Sequence, residues 1–227
     1  MVENPLSMND KKKVVLAGAS GMIGSLVLEH CLSAPEINQV ISLVRKKSES
    51  KNPKLNEVVI HNFTDYSAHN TLFEHVDIAF FFIGVYTGKV PDAKFREITV
   101  DYAVAFAKAI KEGNPNATLC LLSGAGADRN EKSRTSFARY KGIAENQISQ
   151  LGLNFYTFRP AYIYPVTPRK EPNLIYRISR VLYPVIQLMG PNSSITSTEL
   201  AQAMFQVGLK GADSEILENK VILKLTK

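Results

Sequence analysis

The fold class this chain predicts is a doubly wound parallel α/β sheet with helices on both faces. Three observations carry it. Strand-like runs rich in Val, Ile, Leu and Phe alternate with segments of helical spacing six times along the chain. One run, Asp77 to Gly84 (DIAFFFIG), is apolar without alternation, as a strand covered on both faces must be. Val14 to Gly24 (VVLAGASGMIG) joins a buried strand, a tight turn and a helix start in eleven residues.

In chain order, the first helix continues over Ser25 to Leu32 until Pro35 stops it. Gln39 to Val44 (QVISLV) is a second strand, closed by Arg45-Lys46-Lys47 and a polar loop, and Glu57 to Ile60 (EVVI) is a third. Leu72 to Val76 closes a weak helix before the fourth strand, Asp77 to Gly84. Phe95, Ile98, Tyr102, Phe106 and Ile110 recur at helical spacing, and that helix stops near Gly113. Thr118 to Ser123 (TLCLLS) is the fifth strand, Ser136 to Leu151 a helix ended by Gly152, and Asn154 to Arg159 the sixth strand, cut off by Pro160. Right-handed crossovers then give the Rossmann order, with the glycine turn at the switch point.

After Pro160 the rhythm changes. Pro165, Pro168, Pro172 and Pro184 interrupt the segment, and Leu174 to Met189 reads as an apolar helix kinked at Pro184. Thr198 to Leu209 is expected as a helix and Glu218 to Leu225 as a final strand. Residues 13–227 are therefore expected to form one domain, with a small C-terminal cap at about 161–200 over the sheet's carboxyl edge. Residues 1–12 read as a solvated arm with no apolar core of the signal-peptide kind.

Composition narrows the function classes. A chain of 227 residues, 45% of them hydrophobic, suits one domain of the larger kind. No run approaches the ~20 apolar residues of a membrane span. Cys31 and Cys120 lie far apart in apolar surroundings and read as buried reduced thiols, which points to the cytoplasm. The net charge of +6 fits a phosphate-bearing ligand and, without a clustered basic face, argues against nucleic acid. His30, His61, His69 and His75 show no metal-ligand spacing, and no Gly-x-Ser-x-Gly elbow occurs. Arg169, Lys170, Arg177 and Arg180 beside the apolar cap helix read as a solvated basic edge; contact with an anionic membrane surface or an acidic substrate is the alternative. A homodimer contact through Leu174 to Met189 stays open.

The glycine turn has a chemical reading. Gly18 allows the tight turn, Gly21 lets the backbone lie against a pyrophosphate, and Gly24 lets helix and strand pack closely. Amides at the helix start, from Ser20 through Met22 and Ile23, then favour negative charge. In NAD binders an acidic residue about 20 positions on takes the ribose 2′-hydroxyl. Here the second strand ends in Arg45, whose guanidinium suits a 2′-phosphate, so NADP(H) is expected over NAD(H).

Several of these segments together carry a family resemblance. GASGMIG, the LVR that ends the second strand, LLSGAGAD (Leu121 to Asp128), FARYKGIAE (Phe137 to Glu145) and FRPAYIY (Phe158 to Tyr164) resemble the short-chain dehydrogenase/reductases. They are similar in particular to the atypical branch near the Tat-interacting-protein-like oxidoreductases and the NAD-dependent epimerase/dehydratase group. The resemblance spans roughly Lys13 to Leu209. It implies a tyrosine that exchanges a proton with substrate, a lysine four residues later that tunes it and holds the nicotinamide ribose, and a strand-end hydroxyl that polarises the carbonyl. Carried over, the hydroxyl falls on Ser123 and the lysine on Lys141, but Phe137 stands where the tyrosine belongs. Tyr140 is the nearest substitute, rotated about 100° from Lys141 and about 60° from Phe137 around the helix; its alternative is a packing role. The resemblance further implies adenine contacts at Asn62 and Phe63, ribose and nicotinamide contacts at Gly84 and Val85, and carboxamide contacts from Pro160 to Ile163. The expected function is an NADP(H)-dependent oxidoreductase acting on a small carbonyl or alcohol. The alternative is a cofactor-binding regulator that reads NADPH and signals through a partner.

Overall fold

A computed structural model describes residues 11–167, 180–188 and 190–226. A seven-stranded sheet runs in the order β3-β2-β1-β4-β5-β6-β9, and every neighbouring pair is parallel. Its strands are β1 (Lys12–Ala17), β2 (Ile37–Val44), β3 (Leu55–Val59), β4 (Ile78–Phe81), β5 (Thr118–Leu122), β6 (Asn154–Arg159) and β9 (Ile216–Glu218). The helices are α1 (Met22–Ser33), α2 (Asp92–Arg96), α3 (Tyr102–Gly113), α4 (Ser136–Ser149), α5 (Tyr183–Leu188), α6 (Ser197–Lys210) and α7 (Asn219–Lys224). Val14 through Ala17 of β1 are wholly buried, as a parallel strand covered on both sides requires. One core layer joins the sheet to α3 and α4 through Phe73, Phe106 and Ile148; the other joins it to α1 and α6 through Val27, Leu200 and Met204.

From β1 the chain winds outward to β2 and β3, then returns to the far side of β1 for β4, β5 and β6. The crevice between the carboxyl ends of β1 and β4 is therefore the switch point, where such sheets bind ligands. β4 is shorter than the apolar run predicts. It pairs with β1 as far as Ala17↔Phe81, and then Gly18, at φ 91°, turns β1 away. Phe82, Ile83 and Gly84 leave the sheet and become the wall of the crevice.

Elsewhere the structure redraws several expected elements. The weak helix before β4 is a 3-10 turn, Ser67–Leu72. The long helix begins at Asp92 behind Pro91 and passes through a π-helical turn, Glu97–Asp101, into α3. A small second sheet pairs β7 (Tyr162–Tyr164) with β8 (Ser194–Thr196) in parallel. Thr196 and Glu199 form a reciprocal capping box that starts α6 at Ser197. The strand expected over Glu218 to Leu225 is overturned: β9 stops at Glu218 and α7 follows. The cause lies in its neighbour, because β6 ends at Arg159, paired with Glu218, and Pro160 offers no further ladder. Asn219 then pins the chain, donating to the carbonyls of Pro191 and Ser194 and accepting from the Ala161 amide.

Residues 174–179 and 189 of the expected cap helix, with the basic residues Arg169, Lys170 and Arg177, fall outside the described residues. In the described part α5 starts at Tyr183 with Pro184 in its first turn, where no amide proton is needed, and the Arg180 guanidinium lies over the Tyr164 ring. Cys31 and Cys120 are both buried free thiols, and burial pushes the pKa of Cys31 up to about 12. No helix among the described residues is long and apolar enough to cross a membrane.

Candidate functional site

The site begins with the backbone of the β1–α1 turn. Gly18 packs so tightly beneath the chain leaving β4 that a Cβ there would stand 2.9 Å from the Ile83 nitrogen. A Cβ at Gly24 would meet the Gly18 carbonyl oxygen at 2.3 Å. The Gly21 amide donates to that same oxygen at 3.0 Å, and Gly21 caps α1 with no side-chain hydrogen bond and no acid in the first turn. The helix thus presents bare amides at its positive end, a fit for an anionic diphosphate.

Two chambers open along this edge. The first, about 500 Å³, is walled by Gly21 to Gly24, the Phe82 to Thr87 segment, Leu122 and Lys141. The second, about 460 Å³, extends over Gly124, Ala125, Pro160, Tyr162 and Pro165. Met22, Tyr86, Ser123, Phe137 and Ile163 line both and form the junction. Gly84 and Val85 line the first chamber, and Pro160 lines the second. Ser20 is exposed in the glycine turn. Arg45 is exposed just past β2, and the pairing Ala17↔Leu43 sets it at the same sheet edge as that turn.

Two expected contacts are redirected. Asn62 lies exposed in a turn, its side-chain oxygen accepting from the amide and hydroxyl of Thr64. Phe63 is buried against the rings of Tyr66 and Tyr102, so it is a core residue without a face for adenine. Tyr140 also fails as the substitute acid. It is 7% exposed, packs on Phe95, donates its hydroxyl to Asp92 at 2.5 Å and lines neither chamber.

The remaining family positions assemble at the junction with altered chemistry. Phe137 is 36% exposed and lies over Gly124, where a Cβ would stand 2.6 Å from the tip of the ring. Gly124, which has no side chain, therefore lies directly under the ring, while Ser123 lines both chambers beside it. Ser123 donates its hydroxyl proton to Glu145 at 2.6 Å. Lys141 reaches the Leu122 carbonyl at 3.0 Å, and loss of solvent brings its pKa down to about 8 against the opposing pull of Glu145.

Beneath the junction lies a polar cluster that residue spacing alone does not disclose. Glu145 is wholly buried, one turn after Lys141 on α4. Burial pushes its pKa upward, but hydrogen bonds from Arg159, Ser123 and Arg129 outweigh that and hold the carboxyl below its usual range. Arg159 donates through two nitrogens at 3.1 and 2.5 Å, Arg129 at 2.9 Å and Thr157 at 3.1 Å. Arg129 continues to Glu215, and Arg159 to Glu218. The spacing of Lys141 and Glu145 at i, i+4 is the one sequence signal that links this cluster to the site.

Comparison with known proteins agrees with this edge. The family model described as NAD(P)H-binding matches residues 18–207. The protein HTATIP2 of Rattus norvegicus is 25% identical over 223 residues, covering 95% of this chain and 90% of its own length. Among solved structures, Gre2 of Candida albicans in complex with NADPH has a TM-score of 0.68 at 16% identity, over 92% of this chain and 78% of that one. The Bordetella bronchiseptica enzyme WbmF in complex with NAD+ has a TM-score of 0.67 at 13% identity, over 96% of this chain and 78% of its own. With its glycine turn at the switch point of a parallel sheet, the chain belongs to the NAD(P)H-binding family and has the fold of an atypical short-chain dehydrogenase/reductase.

Proposed function

We propose that the protein is an NADP(H)-dependent oxidoreductase acting on a small carbonyl or alcohol. The observation that carries the reading is the second chamber, which joins the first at Met22, Tyr86, Ser123, Phe137 and Ile163. A protein that only reads a dinucleotide needs the first chamber; a second, joined to it, leaves room for a molecule to react. When bound, the cofactor supplies or accepts a hydride. The amides of Met22 and Ile23 at the start of α1 would face the diphosphate, and Arg45 would face a 2′-phosphate. Lys141, which lines the first chamber, would hold the ribose, and Pro160 and Ile163 would bound the nicotinamide. Ser123, its proton given to Glu145, offers a lone pair and so accepts from a substrate hydroxyl or an amide.

A regulatory reading, in which the protein binds NADPH and acts through a partner, draws on a different observation. Phe137 leaves the family's tyrosine position without a proton to give, and the proton of Ser123 is already donated to Glu145. Titration calorimetry with NADPH and NADH, followed by a carbonyl screen, separates the two. The oxidoreductase reading expects NADPH to bind more tightly. It also expects Arg45→Ala to weaken NADPH about 10- to 100-fold, the worth of a charge-assisted contact, with NADH unchanged. Tight NADPH binding with no turnover of any carbonyl favours the regulator, and binding of neither cofactor removes both.

A further inference from the structure

We propose that the ammonium of Lys141 protonates the substrate oxygen, in place of the phenol missing at residue 137; the proposal rests on the oxidoreductase reading above. Lys141 carries the only charge among the described residues that line the two chambers. An ammonium has three protons. One goes to the Leu122 carbonyl at 3.0 Å, immediately before Ser123 at the junction, and the others remain for the cleft. Two nearby hydroxyls are already committed elsewhere. Ser123 has one proton and donates it to Glu145, while Tyr140 donates its proton to Asp92 of α2 and lines neither chamber. Tyr86 does line the junction, but from the turn after β4 rather than from a helix.

The charged and titratable surroundings of Lys141 are few. Glu145 follows it on α4 and favours its charged form, yet Glu145 is shared with Arg159 from β6 and Arg129 from the segment after β5. β5 contributes the Leu122 carbonyl and Ser123, and the β4 turn contributes Tyr86. Burial dominates this balance and draws the pKa to about 8, close to the range where a general acid works best. In the reduction step the carbonyl carbon gains a hydride, two electrons with it, from the reduced cofactor. The C=O π pair moves to oxygen, and that oxygen takes a proton from Lys141, directly or through one water. The step leaves an alcohol, the oxidised cofactor and a neutral amine that regains its proton from solvent.

Two measurements on the full chain test this. The first follows the Lys141 resonance against pH in 13Cε-lysine-labelled protein, assigned by its disappearance in Lys141→Arg. Titration near 8 is expected, and titration above 10 overturns the proposal whatever the activity. The second follows single-turnover reduction of diacetyl at saturating NADPH between pH 6 and 10. The wild-type rate is expected to fall about tenfold per pH unit above pH 8. Lys141→Met should lose about 100-fold at pH 7, and Lys141→Arg should lose the limb. Tyr86→Phe should keep the limb whatever it does to the plateau. A limb indifferent to Lys141→Arg, or removed by Tyr86→Phe, overturns the donor role alone. Absence of turnover at every pH, with NADPH bound, overturns the oxidoreductase reading and the donor role with it.

Discussion

The turn after β1 and the segment from the end of β5 into α4 face each other across one cleft, and they carry their chemistry in opposite ways. The first works through backbone. Gly18 and Gly24 leave no space for a side chain, and the amides of α1 are aimed by the turn itself. The second works through side chains, whose targets are set by what packs around them. Ser123 turns to Glu145, Tyr140 to Asp92 and Lys141 to the Leu122 carbonyl. Backbone chemistry is written in residue spacing, because only glycine satisfies it. Side-chain chemistry is written in three dimensions, and a motif gives the residue without its direction.

The largest effect expected from this contrast comes from Gly24→Val. Its Cβ would collide with the Gly18 carbonyl oxygen at 2.3 Å, backbone that cannot step aside. A loss of about 5 kcal/mol or more is expected, enough to unfold a domain of ordinary stability. Urea denaturation measures it, and a stable variant that still binds NADPH would break the comparison. Next comes Glu145→Ala, which strands Arg159 and Arg129 and should cost about 3–5 kcal/mol. The same carboxylate sets a pH signature. Its folded pKa is depressed, so its contribution is complete above the ordinary value of 4.5 and is lost as pH falls through the lower folded value. Wild-type stability should therefore decline more steeply below pH 4.5 than that of Glu145→Gln, read from urea midpoints at each pH. The smallest effect belongs to Tyr140→Phe. Loss of the bond to Asp92 should cost about 1 kcal/mol, with NADPH affinity and carbonyl turnover unchanged. A fall in turnover larger than a fall in stability would return Tyr140 to the chemistry.

Much of this was legible in the residues. β6 runs from Asn154 to Arg159 as its branched and aromatic run predicts, and the glycine turn has the packing its spacing demands. What stayed hidden depends on neighbours. Val221, Ile222 and Leu223 suit a strand as well as a helix, and the choice is made by the end of β6 at Pro160. Phe63 follows the third strand as an adenine contact would, yet the aromatic rings of Tyr66 and Tyr102 draw it into the core. The hydroxyl of Ser123 turns to Glu145, and only the packing of that buried carboxylate from α4 reveals it.

The buried cluster has an evolutionary consequence. Glu145, Arg129, Arg159, Glu215 and Glu218 are joined by ion pairs drawn from four separate stretches of chain. Replacing one member leaves a neighbouring charge without its counterpart, while replacing the inner ones together by apolar groups need cost little. The inner positions should therefore drift as a set. A lineage that has lost Glu145 is expected to have lost Arg129 and Arg159 with it, whereas the more exposed Glu215 and Glu218 are free to vary.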